Sequence, residues 1–318
     1  FPKVVLPEPD APLMCMIIIY IYIYYELNIE QKEAVETVNG PLLVLAGAGT
    51  GKTKVLTTRL THILHKNIAH PSEICTVTFT NKASNEMRIR VEKMIGASIA
   101  GWWLGTFHSL AARILRSNAE LINLKTTFTI IDTDDQIRLI KQIMSAENID
   151  EKRWPARSLL SIIQRWKDMG LNPIDVNNAY HSGADFANNQ AVKLYQNYQN
   201  RLITLNAVDF GDLLLHVITI FKNKPDIKKL YQNKFKYILV DEFQDISQAR
   251  SKLLQKIRKE NKAKLYCVGD DWQAIYQFAG GDISIFTKDF EKEYGTFERV
   301  DIDSTFRFGK KINLITSK

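Results

Sequence analysis

The sequence predicts an α/β fold, a parallel sheet carrying an inserted, mainly helical domain, and three observations carry that prediction. Four short apolar runs, over 42–45 (LLVL), 74–79 (ICTVTF), 237–240 (YILV) and 265–268 (LYCV), have the length and composition of buried strands. Helical periodicity follows the first two: Leu56, Leu60, Ile63 and Leu64 share one face, then Met87, Val91 and Met94 another. Between about residues 110 and 205 the pattern turns mostly helical. Each strand ends in a polar turn, and parallel α/β sheets carry their sites at the C-terminal strand ends.

The 318 residues, 45% apolar and 24% charged, allow two ordinary domains or one domain interrupted by another. Lys and Arg exceed Asp and Glu by 42 − 35 = 7, a mild basic excess that suits a polyanionic partner and also fits many proteins without one. Cys15, Cys75 and Cys267 show no paired spacing, so reduced core thiols in a cytoplasmic protein are expected, with no disulfide or metal site. Residues 1–26 differ from the rest. Their thirteen-residue apolar run is too short to span a bilayer comfortably, and it lacks the basic start and cleavage site of a signal peptide. This segment is expected to lie outside the functional fold, with Met14 or Met16 as the true start. No membrane partner is expected. The helical stretch carries basic and aromatic residues, Lys152, Arg153, Trp154, Arg157, Arg165, Trp166 and Lys167, which fit a solvated helix face as well as they fit DNA contact.

Ala46-Gly47-Ala48-Gly49-Thr50-Gly51-Lys52-Thr53 follows a strand and opens a helix, as a phosphate-binding loop requires. Small residues let backbone N–H groups wrap the phosphates at a helix N-terminus. Lys52 can reach the β and γ phosphates, and the Thr53 hydroxyl can ligate Mg²⁺. Asp241 and Glu242 end the strand over 237–240. Asp241 is expected to hold Mg²⁺, mostly through water, and Glu242 to polarise an attacking water. Loop and acids are expected on neighbouring strand ends.

With these residues in place, the chain from Leu27 nearly to its end resembles superfamily 1 DNA helicases of the UvrD/Rep/PcrA type. Leu27-Asn28 with Gln31 resembles the family's adenine-reading motif, and 46–53 its motif I. Residues 78–83 (TFTNKA) resemble motif Ia, and 105–109 (GTFHS) motif Ib. Residues 209–213 (DFGDL) resemble the return from the inserted domain, 241–245 (DEFQD) motif II, 269–276 (GDDWQAIY) motif III, and Phe306-Arg307 the start of motif IV. Motif III and the stretch around Arg307 are closer to the helicase IV variety.

The resemblance implies a RecA-like P-loop NTPase with ATP and Mg²⁺ as cofactors. Single-stranded DNA and duplex junctions are the implied partners, and 3′→5′ translocation in DNA repair or replication the implied activity. It implies nucleotide contacts from Gln31, Ala48, Gly49, Thr50, Gly51, Lys52, Thr53 and Phe306. Lys52, Asp241, Glu242, Gln273 and Arg307 would be catalytic, with Thr53 and Asp241 on the metal. Phe79, Thr80, Asn81, Thr106, Phe107, His108, Tyr276 and Phe278 would meet DNA. The implied division is 27–109 with 206–295 as the ATP-binding domain (1A), 110–205 as the inserted helical domain (1B) and 296–318 as the start of a second motor domain (2A). Phe278 and Ala279 stand where UvrD and PcrA carry tryptophan and arginine, which puts one phosphate contact in doubt. The chain ends eleven residues beyond Arg307, so it reads as the front part of a motor, expected to bind nucleotide and single strands but not to unwind duplex.

Overall fold

The computed structural model describes residues 20–177, 181, 183–258, 263–270 and 290–303. Its strands are β1 (Leu42–Ala46), β2 (Ile74–Thr78), β3 (Trp103–Thr106), β4 (Thr129–Ile130), β5 (Ala207–Val208), β6 (Tyr237–Val240), β7 (Lys264–Gly269) and β8 (Glu298–Ile302). Six of them form one sheet in the order β3-β2-β6-β7-β1-β8. Every pairing in it is parallel, and β4 with β5 makes a small separate sheet.

Helices cover both faces of the sheet, which is why its strands read as continuous apolar runs. On one face, Leu42 and Val44 of β1 pack with Val55, Leu56, Leu60 and Ile63 of α2 (Lys52–His65), after α1 (Ile29–Glu36). Met87 and Val91 of α3 (Asn81–Ile95) join the same core. On the other face, Leu43 meets Leu110, Ile114 and Leu115 of α4 (Phe107–Asn118). The alternation of Leu42, Leu43 and Val44 between two cores is the period of two that strand geometry imposes.

A third core is built by α5 (Thr133–Ala146), α6 (Ala156–Asp168) and α7 (Ala191–Thr204), around Ile140, Ile163, Trp166, Leu194, Tyr195 and Tyr198. Residue 110, where the helical periodicity begins, lies within α4, and the packing stays with the sheet as far as Phe128. The chain returns through α8 (Phe210–Asn223), α9 (Pro225–Lys234) and, after β6, α10 (Gln248–Ile257).

The join between α6 and α8 is ionic and dry. Lys167 Nζ lies 2.6 Å from Asp209 Oδ2 and 2.6 Å from Asp212 Oδ1, with all three side chains at most 2% exposed. Tyr198 donates to Asp209 at 2.9 Å and Gln199 to Asp212 at 2.7 Å. Burial raises the Asp212 pKa, and the charge of Asp209 adds to it. Burial pushes Asp209 the same way, but the ammonium beside it wins and holds it below the usual carboxylate range. Gly211 is required here: a Cβ would sit 2.8 Å from Lys167 Cδ. Trp166 and Lys167 are therefore core residues, whereas Lys152, Arg153, Arg157 and Arg165 are exposed.

Both ends of the described chain pack against the first sheet and its helices. Residues 298–302, expected to begin a second motor domain, add β8 to the first sheet beside β1, with Val300 and Ile302 buried. Arg299 and Asp301, which alternate with them, are the exposed side of an edge strand, and with Glu298 at its start they mask its apolar period. At the other end, residues 20–25 are helical. Tyr20 is buried, its hydroxyl hydrogen-bonds His62 Nδ1 of α2 at 2.6 Å, and its ring packs on His65 at 4.8 Å. Among the described residues Cys75 and Cys267 are free and buried, and burial pushes the Cys75 thiol up to about 12. No helix of the described residues is long and apolar enough to cross a membrane.

Candidate nucleotide and DNA site

The phosphate-loop residues connect β1 to α2 at the C-terminal edge of the sheet. Gly49 and Gly51 have φ of 76° and 89°, backbone that side chains other than glycine rarely adopt. A Cβ on Gly51 would also stand 3.2 Å from Gln31 Nε2. Thr50 is buried, and its hydroxyl donates to Gly47 O at 2.8 Å, closing the turn. Ala46, in place of a first glycine, is the last strand residue, and its carbonyl accepts from Lys52 Nζ at 3.3 Å. The start of α2 has no side-chain cap and no acid in its first turn, so its first N–H groups and its dipole face outward for an anion. Thr80, Thr106, Asp132, Asp209 and Ser247 cap other helices by contrast.

Gln31 braces this loop from below. It is fully buried, its Oε1 accepts from Asn28 N at 3.1 Å and its Nε2 donates to Thr50 O at 2.7 Å. Ala48 is exposed at the tip, and Thr53, in the first turn of α2, is half-buried.

The acids lie across from the loop. Lys52 is 9% exposed, with Nζ 3.9 Å from Glu242 Oε2 and 3.7 Å from Asp270 Oδ2. Loop and acids are together, but not on adjacent strands: β7 separates β1 from β6, and its end supplies Asp270. Glu242 has φ 50° and ψ 46°, a left-handed conformation that costs a non-glycine residue about 1–2 kcal/mol. It is held there by a local chain of bonds. Its N–H donates to Asp241 Oδ1 at 3.1 Å, Gln244 Nε2 donates to its Oε2 at 2.7 Å, and Gln244 Oε1 accepts from Asp270 N at 3.1 Å.

Burial raises Asp241 to about 7, and the neighbouring Glu242 charge adds to the shift. A buried carboxylate held this close to neutrality is relieved by a cation, which fits Mg²⁺. The described residues contain no cluster of three or more metal-binding side chains. Mg²⁺ sites of this kind need only one or two protein ligands beside phosphate and water, and Thr53 and Asp241 offer that number. Because its folded pKa is raised, Asp241 contributes stability below 3.8 that is lost as pH rises through about 7. Thermal melts of the nucleotide-free chain should therefore show stability falling across that window. Asp241→Asn should remove that part of the slope, and an unchanged slope would refute the assignment.

The other half of the same edge carries the residues expected to meet DNA. Thr78 is in register with Thr106, so the ends of β2 and β3 lie side by side. Phe79 is half-buried, and Thr80 and Asn81 are exposed where α3 begins. The Thr80 hydroxyl accepts from Ala83 N at 3.1 Å. Thr106 is buried and caps α4 by accepting from Ser109 N at 3.2 Å. His108 is half-buried, edge-on to Phe210 at 6.0 Å, and burial, with the charge of Arg250, drives its pKa down to about 4, so it is neutral.

Phe107 does not join this surface. Its ring is 5% exposed in the core with Leu110 and Ala111, because the first residue of α4 turns inward at a position the motif letters do not distinguish. Gln273, Tyr276, Phe278, Phe306 and Arg307 lie outside the described residues.

Sequence reasoning assigned no role to Gln244, Asp270 or Phe210. The first two stand in acidic turns directly after apolar strands, the same signal that revealed Asp241. Phe210 is 56% exposed, a solvent-facing aromatic that only the structure brings beside His108.

Comparison with known proteins covers this whole arrangement. The UvrD/REP helicase N-terminal domain matches residues 27–295. A "Probable DNA helicase II homolog" of Rickettsia felis is 42% identical over 290 residues, 89% of this chain and 43% of that protein. An "ATP-dependent DNA helicase PcrA" of Staphylococcus epidermidis is 40% identical over 287 residues, 90% of this chain and 38% of that protein. One of the same name from Staphylococcus aureus is 39% identical over 286 residues, again 90% and 38%. The chain thus spans about two fifths of the length of these relatives. A match whose span takes in the Gln31 brace, the loop at Lys52 and the acids at Asp241 and Glu242 makes the chain a member of the UvrD/REP helicase family.

Proposed function

We propose that this chain is the nucleotide-binding portion of an ATP-driven DNA translocase and helicase that moves on single-stranded DNA. The observation that carries the reading is the position of Lys52, whose ammonium stands between the loop carbonyl of Ala46 and the carboxylates of Glu242 and Asp270. In this reading the loop over 46–53 and Lys52 hold the triphosphate. Thr53 and Asp241 hold Mg²⁺, which would supply charge neutralisation at the reacting phosphate. Glu242 orients and deprotonates water, and its half-exposed carboxylate is aimed by Gln244. Gln31 holds the loop's shape and reads the base.

Phe79, Thr80, Asn81, His108 and Phe210 form the single-strand surface, with Phe79 and Phe210 as stacking platforms. Thr106 shapes that surface from beneath. Gln273, Tyr276, Phe278, Phe306 and Arg307 keep the roles their motifs imply. The division into a sheet domain and an inserted helical domain is part of the proposal, as are duplex junctions, 3′→5′ polarity and a role in DNA repair, all carried over from the resemblance. The names of the relatives, DNA helicase II and ATP-dependent DNA helicase PcrA, agree with it.

Phosphate release measured with and without oligo-dT tests the reading. Single strands should raise turnover severalfold. Turnover indifferent to DNA would leave a phosphate-loop ATPase with no DNA function.

A further inference from the structure

We propose that Arg250 is a positioning residue, whose guanidinium holds the Phe79 ring in the single-strand path and ties it to the acid turn at 241–245. The proposal rests on the reading of Phe79 as a DNA contact. Arg250 lies in the first turn of α10 and is 7% exposed, so its charge is largely removed from water. A cation at that depth needs specific partners to be tolerated. Its Nη1 donates to Asp245 O at 3.1 Å, and its guanidinium carbon lies 4.5 Å from the centre of the Phe79 ring, within cation–π range.

The groups around it come from four elements. Asp245 ends the turn that begins with Asp241 and Glu242, and Phe79 follows β2 directly. His108, from the first turn of α4, is kept neutral partly by the Arg250 charge. Asp168, the last residue of α6, contributes the opposite charge that favours the guanidinium, as does Asp245. A continuous path therefore runs from Glu242 through Gln244 and the short turn Phe243–Asp245 to Arg250 and Phe79. One cation reaches both the acid turn and the aromatic. The guanidinium lies within cation–π range of a ring that is only half-buried, so the ring is held from the protein side while the rest of it stays open to a base.

The test is anisotropy of labelled oligo-dT and of an abasic strand of equal length, titrated with the chain over a range of salt. Arg250→Met should weaken oligo-dT binding roughly tenfold, the loss of about one stacked base. Abasic binding and the salt slope should not change. Arg250→Lys keeps a cation over the ring and should recover most of the affinity. Phe79→Ala should reproduce the loss, and adding Arg250→Met to it should cost nothing further. If Arg250→Met melts too low to assay, Arg250→Gln, which keeps a donor for the Asp245 carbonyl but no charge, carries the same expectations.

A salt slope reduced by about one would mean that Arg250 meets phosphate directly and would overturn the proposal. So would equal losses on both strands, or wild-type binding by the Met variant. Failure of the unsubstituted chain to bind oligo-dT removes the DNA reading itself. Binding that is intact but insensitive to Arg250 removes only this inference.

Discussion

Lys52→Ala should lower ATP turnover by about 10²–10³-fold or more, as loss of a fixed positive group facing developing phosphate charge does. Lys52 lies within 4 Å of both Glu242 and Asp270. Its removal therefore takes away the group facing the phosphates and the counter-charge between two carboxylates at once. The backbone of the loop is untouched, since its turn is fixed by Gly49, Gly51 and the Gln31–Thr50 bond. Binding of a fluorescent ADP should consequently survive far better than turnover. Phosphate-release assays decide the point, and a variant retaining turnover within tenfold would show that the loop is not the hydrolytic site.

The second large effect is on stability. Lys167→Met should destabilise the chain by about 3–5 kcal/mol, because it leaves Asp209 and Asp212 buried together without a cation. Melting should fall by about 10 °C. The loss should shrink as pH is lowered: without the ammonium both carboxylates have raised folded pKa values, so protonation restores stability from below. Lys167→Met combined with Asp209→Asn and Asp212→Asn should recover most of the stability, since the amides keep the acceptors that cap α8 while shedding the charge. A single variant as stable as the parent would mean that the network contributes nothing net.

Much of the site was legible in the sequence because its chemistry is local. A strand, a small-residue turn and Lys52 announce a phosphate loop within eight residues, and the acids after the strand over 237–240 announce their own position. The parallel sheet was legible for the same reason, since doubly covered strands are uniformly apolar. What escaped was everything that depends on which side of a backbone faces in. Phe107 and His108 are neighbours in one motif, yet one is core and the other faces Phe210. β8 was hidden by the charged side of an edge strand, and Tyr20 by a composition that resembles nothing else in the chain. Trp166 and Lys167, read together with exposed arginines, turned out to be the centre of a core and of its ion network. The placement of β7 between β1 and β6 could not be read at all, because strand order is a property of long-range pairing.

That placement has a consequence for how the loop meets a ligand. The ammonium of Lys52 is never bare: carboxylates from the ends of β6 and β7 already attend it. Any incoming anion must displace them, so occupancy is a substitution of one negative partner for another. Part of the attraction is cancelled in advance, so filling the loop gains less than a bare ammonium would give. Asp270, bonded through its backbone N–H to Gln244, ties that exchange of partners to the turn that carries Glu242.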